Sequence, residues 1–134
     1  MNHKIKHALT IGLLAGYAGE TEFREIVRGG VEMKQSHFER DGIIYHDEWL
    51  PNRTGGGQEL VEIDGQKFTR IYAGGLVGEE SLKQLGIDEN DVIGTLINQI
   101  KLAGDKTRLD ADYENQDEDW KYSYKVKKQS DEVG

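Results

Sequence analysis

Twice in the first half of the chain an Asp-Gly dipeptide stands between two β-prone segments. Asp41-Gly42 separates the alternating run VEMKQSHF from Ile43–Trp49, and Asp64-Gly65 separates Glu59–Ile63 from Lys67–Tyr72. A two-residue hairpin loop needs positive φ at both central residues, a conformation that Asp tolerates and Gly adopts freely. Each dipeptide therefore predicts an antiparallel hairpin. Consecutive hairpins argue against a parallel sheet, because parallel strands need long crossovers.

The glycines before the second hairpin, Gly55-Gly56-Gly57, invite a phosphate-loop reading. Such a loop follows a strand, opens a helix and carries Gly-Lys-Ser/Thr. Here the glycines precede a strand and no Gly-Lys follows. They are expected instead at a bulge or loop where two backbones approach closely. Pro51, the only proline, is expected outside the interior of a sheet.

Helical spacing appears twice. Ile5, Ala8, Leu9, Ile11 and Leu13 suit one face of an N-terminal helix ending near Gly16. The run is too short and glycine-rich to span a bilayer. Asp88 resembles an N-cap, Glu89 and Asp91 suit a first turn, and Gly104 suits a stop. Between them Val92, Ile93, Leu96, Ile97 and Ile100 form an apolar face, predicting the main helix over about 88–103 with Leu96 and Ile97 buried. Glu20–Arg28 is expected as a short helical turn and Glu79–Leu85 as one or two turns. Asp105–Asp119 is expected as a solvated loop extended only around Leu109. Trp120–Val126 alternates as a half-exposed strand, and the tail 128–134 is polar. The fold class predicted is α+β over a single domain, 1–134. An antiparallel sheet of about five strands carries the main helix packed on it, with the N-terminal helix nearby.

The 25 acidic and 17 basic residues give a net charge of −8, which disfavours nucleic acid and anionic membranes as partners. The absence of cysteine excludes disulfides, thiolate metal sites and cysteine nucleophiles, and fits a cytoplasmic location. The acidic run 110–119 fails the calcium-loop template, because Lys121 stands where the closing glutamate belongs. His3 and His7 share a helix face but lack the rest of a zinc motif. No metal and no cofactor is expected. A homodimer is an admissible assembly.

Within Tyr45–Trp49, strand alternation puts Tyr45, Asp47 and Trp49 on one face and His46 and Glu48 on the other. His46 and Glu48 have the chemistry of a base and its orienter, so a hydrolase is one alternative function. No nucleophile motif accompanies them, and no catalytic residue is assigned. The aromatics Tyr45, Trp49, Phe68, Tyr72, Trp120, Tyr122 and Tyr124 all fall in predicted strands. They are the candidate ligand-binding residues, lining either a core or a partly open cleft. A small ligand-binding or sensor-type domain is the leading expectation, its partner an unidentified small molecule or protein. An acidic protein-interaction module is the other alternative.

Several short segments together resemble a bacterial domain family of unknown function. They are Gly16-Tyr17-Ala18, Ile44–Glu48, Gly57–Val61, Asp64-Gly65, Tyr72–Gly75 and Trp120–Tyr124. Members of that family stand alone or are fused behind the helix-turn-helix region of transcriptional regulators. Pro51-Asn52-Arg53 departs from the aromatic-glycine loop of the family. The resemblance implies a ligand-sensing or interaction role and no catalytic residues. The 134 residues leave little length for an added DNA-binding domain.

Overall fold

The computed structural model describes residues 3–16, 23–52, 54–106 and 110–127. Helix α1 (His3–Ala15) is followed by five strands: β1 (Arg24–Arg28), β2 (Val31–Arg40), β3 (Ile43–Trp49), β4 (Thr54–Ile63) and β5 (Gln66–Gly75). Helices α2 (Glu79–Gln84) and α3 (Glu89–Ala103) come next, then strands β6 (Tyr113–Asp117) and β7 (Trp120–Tyr124). Strands β1 to β5 form one antiparallel meander in chain order, and β6 pairs with β7 in a second, two-stranded sheet. The predicted α+β class, the five-stranded antiparallel sheet and both helices are present.

Both Asp-Gly turns are as predicted. Asp41 and Gly42 have φ of 54° and 78°, and Asp64 and Gly65 have 52° and 74°. Each turn sets its register: Arg40 opposes Ile43, and Ile63 opposes Gln66. Pro51 lies between β3 and β4, outside both strands.

Two local expectations are corrected. The segment expected as a helical turn contains β1, whose Ile26 opposes Met33 of β2. Sheet pairing outweighs the weak helical spacing of Phe23, Ile26 and Val27. The segment expected as a solvated loop contains β6, because the β7 edge offers backbone partners from Tyr113 to Asp117. The polar tail 128–134 lies outside the described residues.

The core of the larger sheet is built with α1. Ile5, Ala8 and Leu9 are buried against Ile43, Tyr45, Val61 and Ile63, with Ile11, Phe38 and Phe68 at the margins. Gly12 seats the helix closely: a Cβ there would lie 2.1 Å from Cγ of Tyr45.

Helix α3 has the predicted cap, Asp88 accepting from the Asn90 amide at 2.7 Å. Its strand partner is β7, and Gln99 Oε1 accepts a 2.8 Å hydrogen bond from Asn115 of β6. The buried residues of α3 are Gln99 and Ala103, whereas Leu96, expected to be buried, is 39% exposed. Helix periodicity identifies an apolar face but not the surface that will cover it.

Candidate functional site

Antiparallel register aligns side chains in rows across the face under α1. One row runs Arg40, Ile43, Ile63, Gln66 and the next Phe38, Tyr45, Val61, Phe68. Toward the C-terminal end of α1 the chemistry changes. The third row is Ser36, Asp47, Glu59, Arg70, and the fourth includes Lys34, Trp49, Gly57 and Tyr72. A Cβ at Gly16 would lie 2.7 Å from Ser36 Oγ, so the end of α1 sits over the third row.

Asp47 and Glu59 stand directly opposite one another on adjacent strands, each 3% exposed. Like charges opposed across a ladder are destabilising, and burial of ionised groups adds to the cost. Tyr72 donates a 2.7 Å hydrogen bond to Asp47 Oδ1. Burial, and then that bond to the carboxylate, push the phenol of Tyr72 well above its ordinary pKa. The guanidinium of Arg70 lies 5.9 Å from the centre of the Tyr72 ring. Arg70 Nη1 and Ser36 Oγ are buried and have no hydrogen-bond partner among the described residues. Beside this row Phe23 packs edge-on to Trp49, ring centres 5.0 Å apart.

The predicted aromatic set divides between two places. Tyr45, Trp49, Phe68 and Tyr72 share the α1 face of the larger sheet. Tyr45 lies in the core, Phe68 at its margin, and Trp49 and Tyr72 beside the polar row. Trp120, Tyr122 and Tyr124 lie on the β6–β7 hairpin, where Trp120 borders a shallow groove of about 440 Å³ with Asn90, Asp91, Gly94, Thr95 and Asn98 of α3. Its walls are largely polar.

Sequence reasoning did not assemble Ser36, Asp47, Glu59 and Arg70. Two signals were present: Asp47 interrupts the inward series Ile43, Tyr45, Trp49, and Glu59 precedes the inward pair Val61, Ile63. An acid at an inward position of a strand is costly and marks a place to look.

The opposite face of the sheet holds His46 and Glu48 as predicted. His46 Nε2 lies 2.9 Å from Glu48 Oε1, and His46 Nδ1 lies 3.0 Å from Nδ1 of His37. Arg28 also donates to Glu48 Oε1 at 2.8 Å. The hydrogen bond from Arg28, then that from His46, hold the Glu48 carboxyl below its ordinary pKa. His46 thus faces Glu48 through Nε2 and His37 through Nδ1. Ile44, Leu60 and Ile71 are exposed on this face, but each opposes a polar residue: Glu62, His46 and Gln58.

Three acids of the run 110–119 are held by partners from other parts of the chain. Asp110 pairs with Lys6 at 2.8 Å, Asp112 accepts from the Val126 amide and Glu114 pairs with Lys121. Among the described residues, no three His, Asp or Glu side chains gather as a metal cage, and no helix is long and apolar enough to cross a membrane. Comparison with protein-family models, curated proteins and solved structures finds no match to this chain.

Proposed function

We propose that the chain is a small ligand-binding or sensor-type domain, non-catalytic, whose site is the polar row Ser36, Asp47, Glu59 and Arg70 flanked by Trp49 and Tyr72. One observation carries this reading. Arg70 Nη1 and Ser36 Oγ are buried in that row without a hydrogen-bond partner among the described residues. A buried polar group left unmatched costs about 1–3 kcal/mol, so the row is poor as structure and suitable as a receptor. Two carboxylates and one guanidinium stand side by side in the row. The ligand is accordingly a small molecule with a hydroxyl or carbonyl acceptor for Arg70.

Amide and arginine side-chain NMR spectra, recorded against a library of amino acids, amines, polyols and nucleosides, test the reading. A binder should shift the signals of Ser36, Asp47, Glu59 and Arg70, and Arg70→Met should abolish the effect. The reading fails if no compound perturbs these signals, or if the shifts map to the groove beside Trp120.

A further inference from the structure

On the face of the sheet away from α1, His37 and His46 are directly opposed on β2 and β3. Their Nδ1 atoms approach to 3.0 Å, with ring centres 5.2 Å apart. The outer nitrogen of each ring faces a carboxylate: His46 Nε2 lies 2.9 Å from Glu48 and His37 Nε2 lies 3.2 Å from Glu39. A carboxylate only accepts, so each contact favours a proton on Nε2. With both Nε2 atoms protonated, a neutral pair turns two Nδ1 lone pairs toward one another, an arrangement that calls for a cation between them. A shared proton is one such cation.

We propose that His37 and His46 also chelate a divalent transition-metal ion through their two Nδ1 atoms, with water completing its coordination. Two imidazole nitrogens on one tetrahedral zinc stand about 3.3 Å apart, given Zn–N bonds of ~2.0–2.1 Å. The Nδ1–Nδ1 distance therefore has to open by only a few tenths of an ångström, and each ring has to turn so that its lone pair leaves the line between the two nitrogens and points at the shared ion. Imidazole nitrogen suits zinc, copper and nickel. Glu48 and Glu39 take the part that outer carboxylates play at histidine–metal sites, fixing the tautomer and raising the basicity of the ligating nitrogen. Arg28 also holds Glu48 in place, donating to Oε1 at 2.8 Å and to Oε2 at 3.3 Å. The site is open to solvent, with the His37 side chain 46% exposed and that of His46 21%.

The test uses Zn²⁺ and a full chain carrying His3→Ala and His7→Ala, so that the α1 histidines contribute nothing. Calorimetry should find one zinc per chain. Ring ¹⁵N spectra should show Nδ1 of both His37 and His46 shifting on zinc addition. His37→Ala should lower the affinity at least about tenfold, and Glu48→Gln about tenfold. The spectra need no substitution at the pair, so they decide the matter even where a variant fails to fold. Unmoved Nδ1 signals at saturating zinc, or equal affinity in His37→Ala, would overturn the proposal.

Discussion

Tyr72 on β5 reaches over β4 to donate its 2.7 Å hydrogen bond to Asp47 on β3, and Gly57 is what lets it pass. Gly57 stands between Trp49 and Tyr72 in the register, and a Cβ there would lie 2.5 Å from the Tyr72 hydroxyl oxygen and 2.2 Å from the Glu48 carbonyl oxygen. The last of the three consecutive glycines is therefore a place of close approach. Gly57→Ala should push the ring away from Asp47 and destabilise the protein by about 1–3 kcal/mol, as overpacking does. Urea denaturation measures it, and an unchanged midpoint would refute the contact.

The same hydrogen bond carries a pH dependence. The Tyr72 phenol has its pKa raised in the folded state, chiefly by burial and then by Asp47. Its contribution to stability is complete below the unfolded value of about 10 and is lost as pH rises beyond it. Thermal denaturation between neutral and strongly alkaline pH should show a steeper alkaline decline in the wild type than in Tyr72→Phe. Parallel declines would show that Tyr72 is not the group responsible.

The two helices should answer differently to truncation. Leu9 of α1 is 0% exposed and Leu96 of α3 is 39% exposed. Leu9→Ala should cost about 2–5 kcal/mol through lost transfer energy and a cavity. Leu96→Ala should cost clearly less, since much of its side chain already meets water. Chemical denaturation of both variants makes the comparison, and a larger loss at Leu96 would mean that α3 supplies the main cover of the sheet.

The β4–β5 turn is testable at one position. Gly65 has φ of 74°. Gly65→Val would hold a β-branched residue in the left-handed region, at about 1–3 kcal/mol. Melting curves of the variant should fall accordingly, and an unaltered curve would deny that the turn constrains the hairpin.

These positions separate what was legible in the chain from what was not. Asp64-Gly65 and Asp41-Gly42 declare their hairpins locally, because positive φ at two adjacent residues is a demand that few residue pairs meet. The Asp88 cap of α3 and the opposed faces of Tyr45–Trp49 are equally local: they depend on residues a few positions apart along one element. Three other features depend on which strand lies beside which. The fit of Gly57 involves Glu48 and Tyr72 from the neighbouring strands. The polar row joins Ser36 to Arg70 across four strands, and the facing Nδ1 atoms of His37 and His46 need the β2–β3 register. The choice of cover for the sheet was likewise decided in three dimensions. The sequence by itself determined a hairpin-built antiparallel sheet and two amphipathic helices, through backbone dihedrals and side-chain periods. Only the tertiary structure decided that α1 seals the core, because Gly12 admits the ring of Tyr45 at a distance that no larger residue allows.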